Sequence, residues 1–195
     1  MTGPERGQGE GRRQAPEPAG EAPGAVAPRG EPGPAVSDPR ELLAAQLEFH
    51  RDTLLWKLSG LSEAQLRTSG LPSGWTPLEL LWHLLHVERR WLCWGFRAEP
   101  VPDPWADDGP DGRWRVPDGM TTEAVLVRFR EQRERSRAIV AGAPLAERAA
   151  VGGRFATPAE APTLGWVLCH LLQEYARHVG QLDVVRELAD GAVGE

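Results

Sequence analysis

Glu174 and His178 stand four residues apart in the stretch LGWVLCHLLQEYARHVGQLDVVRELAD, whose apolar residues recur at helical spacing. On an α-helix that spacing stacks the two side chains on one face, where a carboxylate and an imidazole can hold a common ion. One more imidazole from another helix makes a set of two histidines and one carboxylate, the three-ligand pattern of catalytic zinc sites that keep an open position. His83 is the best candidate for that third ligand. An ion so held lowers the pKa of bound water to about 7 and ionises a coordinated thiol still more readily. Either species is a nucleophile. Plainer readings exist beside this one: His83 as a hydrogen-bonded histidine at the core edge, and Glu174 with His178 as an ion pair on a helix surface. A carboxylate at the rim of a leucine stripe sits poorly with the latter.

The other chemistry-bearing residues are weaker candidates. His170 lies one turn before Glu174 on the polar side of the stripe, a reserve ligand or a supporting group. His50 and His86 are expected outside the ligand set. Cys93 and Cys169 read as small buried apolar residues, since neither has CxxC spacing or an evident histidine and aspartate arrangement. Trp105 and Trp114 fall in a long loop that would cover the site, as simple anchors or as substrate contacts.

These residues need helices to position them. Asp38 or Ser37 as N-cap and Pro39 at the first helical position open RELLAAQLEFHRDTLLWKLS, which Gly60 stops. After the turn-rich LSEAQLRTSGLPSGW, Thr76-Pro77-Leu78-Glu79 forms a capping box that starts a second helix running to Phe96. A helical wheel puts Leu80, Leu81, Leu84, Val87 and Trp91 on its apolar face, Glu79, His86 and Arg90 opposite, and His83 at the boundary. Residues 97–120 carry five prolines among glycines and aspartates and read as a loop. A third helix runs from Thr121 or Thr122 to Ala141, and its arginines 128, 130, 133, 135 and 137 read as a solvated face. A second connector follows, with a short extended piece at Arg154 to Ala156. Thr163 then caps a last helix that ends at Gly191. Its buried stripe comprises Leu164, Val167, Leu171, Tyr175, Leu182 and Val185, with His178 inside the stripe and Glu174 on its edge. Gln173, Arg177 and Glu187 lie opposite. Four helices without a strand pattern predict an all-α, up-down four-helix bundle.

Composition narrows the function classes. The 195 residues hold 22 basic and 28 acidic side chains, a formal charge of −6, and Lys57 is the single lysine. A balance of that sign argues against nucleic acid as a partner. Residues 1–37 contain no Leu, Ile, Phe, Trp or Tyr and read as a disordered Gly/Pro-rich tail, which leaves residues 38–191 as one domain. The first twenty residues have no apolar signal-peptide core, and no stretch approaches 18 apolar residues, so a soluble, cytoplasmic protein without a membrane partner is expected.

Three blocks together resemble the DinB/YfiT-like superfamily of metal-binding four-helix bundles, which includes the mycothiol-dependent maleylpyruvate isomerases. They are LLAAQLEFHRDTLLWKLSGLSEAQL, WTPLELLWHLLHVERRWL with its histidine eight residues after the tryptophan, and HLLQEYARHVGQLDVVREL. The resemblance spans Asp38 to Gly191. It implies a divalent metal, zinc or nickel, on His83, Glu174 and His178. It also implies a thiol S-transferase or isomerase that joins a low-molecular-weight thiol such as mycothiol or bacillithiol to a small electrophile. Tyr175, Arg177 or Arg90 would orient a carboxylate-bearing thiol or substrate. Many relatives read HxGHxD where this chain has His178-Val179-Gly180-Gln181-Leu182-Asp183, so a fourth imidazole is missing at Gln181. Two other readings remain: a metal-dependent hydrolase with His170, His86 or Glu88 as base, and a non-catalytic binding or stress-response module. A homodimer is compatible with all three.

Overall fold

The computed structural model describes residues 30–193, and most of the expected tail lies outside them. Among the described residues the secondary structure is helical, with two isolated bridges, Asp108 to Trp114 and Arg148 to Thr163, and no strand. The helices are α1 (Pro39–Ser59), α2 (Glu63–Leu66), α3 (Pro77–Glu88), which continues as a π-helix (Arg89–Phe96), α4 (Thr122–Ala141) and α5 (Leu164–Asp190). Among the described residues no helix is long and apolar enough to cross a membrane.

Local chemistry sets the helix starts. The Asp38 carboxylate accepts from Glu41 N–H, and Pro39 occupies the first turn of α1. In α3, Thr76 Oγ1 accepts from Glu79 N–H while the Glu79 carboxylate accepts from Thr76 N–H, the reciprocal capping box. Thr121 and Thr163 cap α4 and α5 in the same sense, and Gly191 ends α5 in the left-handed region at φ 75°. The turn-rich LSEAQL stretch is itself a short helix, because Ser62 and Gln65 form a second capping box.

Packing runs in two pairs, α1 against α5 and α3 against α4, with α3 also meeting α5. This places α3 at the centre, and the one-faced wheel expected for it is corrected. Leu80, Leu81 and Leu84 are fully buried, but so in effect are Trp82, His86, Glu88 and Arg90. A helix enclosed by neighbours and by the 97–121 segment has no solvent side to reserve for polar residues. His86 is satisfied there by its Nδ1 bonding the Trp82 carbonyl at 2.9 Å. The stripe expected on α5 is buried as read.

The solvated face expected on α4 holds for Arg128, Arg130 and Arg135, which are exposed, and needs correction at Arg133 and Arg137. Arg133 is buried and pairs with Glu48 and Asp52 of α1, and Arg137 reaches Glu48 as well. Glu48 in turn meets Arg51, whose guanidinium donates to both oxygens of Glu88 at 2.8 and 2.7 Å. The Tyr175 hydroxyl donates to the same Glu88 at 2.5 Å. Charges taken from water at this depth are tolerated because each carboxylate meets several donors. Burial alone would raise the Glu48 carboxyl, yet Arg137, Arg51 and Arg133 hold it at about 2.

Candidate metal centre

Three side chains from two helices meet where α3 faces α5. His83, Glu174 and His178 each offer a donor atom, and these atoms lie within 4.8 Å of one another. Glu174 Oε2 is 3.4 Å from His178 Nε2, one turn along α5. The His83 and His178 rings meet edge to face at 5.1 Å between centroids. An ion with bonds of about 2.0–2.2 Å needs only a slight inward movement of such donors.

Both imidazoles are oriented through their other nitrogen. His83 Nδ1 bonds Asp107 Oδ2 at 2.8 Å, and His178 Nδ1 bonds the Gln181 amide oxygen at 2.9 Å. Protonated at Nδ1, each ring turns an Nε2 lone pair outward, the arrangement found around metal-binding histidines. Gln181, the position that departs from HxGHxD, thus serves as a hydrogen-bond acceptor for His178. Burial lowers the His83 pKa and so favours the neutral ring. The hydrogen bond with His178 lowers that of Glu174 and keeps it a carboxylate. The donor set and its orientation fit a divalent metal.

Asp107 is the residue that sequence reasoning missed. It lies fully buried inside the proline-rich loop, accepts from His83 and Arg90, and is pinned by a loop whose carbonyls at Pro102, Pro104 and Ala106 accept from Arg89, Arg90 and Trp82. Burial would raise its carboxyl, but the hydrogen bonds from His83 and Arg90 keep it below the usual range. No periodicity marks a loop carboxylate, so spacing could not find it.

The remaining candidates are distributed unevenly. His170 sits beside the trio, with Nε2 3.4 Å from Glu174 Oε1 and its ring stacked on Trp166 at 5.4 Å. Trp114 lies over the trio, stacked on His83 at 4.0 Å and edge-on to His178 at 5.0 Å. Trp105 is half exposed and faces Arg90. Of the three residues expected to orient a carboxylate, Tyr175 is fully buried with its hydroxyl on Glu88, and Arg90 is paired with Asp107. The Tyr175 hydroxyl and the Arg90 Nη1 are thereby engaged. Arg177 is exposed on α5, about 100° round the helix from His178. Cys93 is buried against Gln132, and burial raises its thiol pKa. Cys169, expected to be buried, is exposed, on the outer face of α5 that also carries the exposed Trp166, Gln173 and Ala176. The extended piece expected at Arg154 to Ala156 is a turn closed by Gly152 N–H to the Phe155 carbonyl.

Residues 42–191 match the mycothiol-S-transferase family along nearly all the helical chain. The chain belongs to this family. No curated protein matches the sequence. Membership of a mycothiol-S-transferase family agrees with the DinB/YfiT-like resemblance and associates the chain with a thiol substrate.

Proposed function

We propose that this protein is a divalent-metal-dependent mycothiol S-transferase acting on a small electrophile, built as a four-helix bundle of DinB/YfiT type over residues 38–191. The observation that carries the reading is the convergence of His83, Glu174 and His178 within 4.8 Å in a chain of the mycothiol-S-transferase family. His83, Glu174 and His178 would hold zinc or nickel, which would lower the pKa of a coordinated thiol.

The chain's own residues prepare that chemistry. Asp107 and Gln181 fix the ring planes of His83 and His178 before any ligand arrives. Trp114 covers the trio and limits water around it. His170, neutral because burial lowers its pKa, holds Glu174 from the outer side and is available to accept the thiol proton through a water. The two free cysteines suit a reducing cytoplasm.

The test is metal content of the purified chain by mass spectrometry, with mycothiol consumption assayed against a panel of electrophiles. About one divalent ion per chain is expected, lost in His83→Ala and in His178→Ala together with thiol transfer. A wild-type chain that neither retains nor takes up zinc or nickel sinks the reading.

A further inference from the structure

Arg154 meets no carboxylate among the described residues. Its guanidinium carbon lies 4.2 Å from the centre of the Trp91 ring, 5.6 Å from that of Trp105 and 5.9 Å from that of Trp94. Among the described residues no acid pairs with it, and the charge it feels is that of Arg90, which Asp107 neutralises. Partial burial and Arg90 together lower its pKa, as befits an uncompensated cation. Indole faces hold a guanidinium in place without satisfying its N–H donors, which stay directed at whatever enters.

The position is built rather than incidental. Arg154 N–H donates to the Trp94 carbonyl, and Ala150 N–H to that of Phe96, so the turn is fastened to the end of the π-helix. A Cβ at Gly153 would stand 2.1 Å from the Trp94 carbonyl oxygen, so glycine is what allows this approach. Trp91 touches Arg154 and also His170, 4.3 Å away between ring centroids, and His170 contacts Glu174. The cation is therefore linked to the metal centre through the rings of Trp91 and His170, with the half-exposed ring of Trp105 near the guanidinium and that of Trp166 against Trp91.

We propose that Arg154 is the anion-recognition group of the site, seating the carboxylate of an acidic electrophile whose apolar part lies along the neighbouring indoles. The assignment to the electrophile rests on the S-transferase reading: mycothiol carries its cysteine carboxyl as an amide, so the acid is not the thiol's. Selectivity then follows from charge, because a neutral analogue leaves the guanidinium donors unpaired.

The test is calorimetric titration of the zinc-loaded full-length chain with benzoate and with benzamide, the same ring with and without the charge. Benzoate is expected to bind at least tenfold more tightly, as a charge-assisted hydrogen bond allows. Arg154→Gln brings the two within twofold, Arg154→Lys restores part of the preference, and the preference persists in metal-stripped protein. Equal binding of the two probes, binding of neither, a preference untouched by Arg154→Gln, or one that vanishes with the zinc overturns the proposal. A parallel thiol-transfer assay without turnover sinks the S-transferase reading and leaves these isotherms to be judged alone.

Discussion

Asp107 reaches His83 from a loop 24 residues further along the chain, and its removal gives a clean prediction. Asp107→Asn keeps the shape but weakens the acceptor that sets the His83 tautomer, so zinc affinity should fall about 10- to 100-fold. Competition titration against a chromophoric chelator measures this, and unchanged affinity contradicts the orienting role. Trp114 offers an optical counterpart. Its ring stacks on His83, so nickel binding should quench its emission, and Trp114→Phe should abolish most of the metal-dependent change. At this scale legibility depended on period. His83, Glu174 and His178 stood out because helical spacing and a family resemblance mark them, whereas Asp107 and Arg154 lie in loops, where no spacing rule links a residue to its spatial partner. Tyr175 was legible as buried but not as engaged, since its partner Glu88 lies on another helix.

The elements were largely readable from their ends. Asp38, Thr76, Thr121 and Thr163 cap helices because their side-chain oxygens answer orphan N–H groups, a short-range relation that sequence displays directly. The π-helical segment was not readable, since no side-chain cap marks RRWLCWGF; in the folded chain the 150–155 turn docks on its end. Gly153→Ala tests that docking: the forced Cβ should cost about 2–3 kcal/mol in denaturant unfolding and lower benzoate affinity although Arg154 itself is intact. The α1 to α4 contact makes a pH prediction. Glu48 ionises at about 2 in the folded chain against 4.5 as a free side chain. A depressed carboxyl pKa adds stability that is complete above about pH 5 and is lost as pH falls toward 2. Thermal melts of Glu48→Gln should therefore show a lower Tm at pH 7 and a flatter acid limb than the parent. An acid limb identical to the parent's would rule Glu48 out as its source.

For the whole molecule, the trio joins two helix pairs that otherwise meet narrowly, with His83 on α3 and the other two donors on α5. An ion bound only by the folded chain stabilises it by mass action, about 4 kcal/mol at a thousandfold excess over Kd. For a domain of this size that is roughly a 10 °C rise in Tm. Differential scanning with and without zinc should show the rise in wild type and its absence in His178→Ala. Glu88 plays a related part without any ligand. One fully buried carboxylate is shared by Arg51 of α1 and Tyr175 of α5, while its own backbone closes α3. Drawing α1 from α3 parts the buried Arg51–Glu88 pair and strands a charge in the core, a penalty of several kcal/mol, and drawing α5 away strips the same carboxylate of a hydrogen bond. Partial opening is thus penalised almost as heavily as complete unfolding. Amide protons in the middle turns of α1, α3 and α5 should consequently exchange with deuterium at one common rate, as a single cooperative unit.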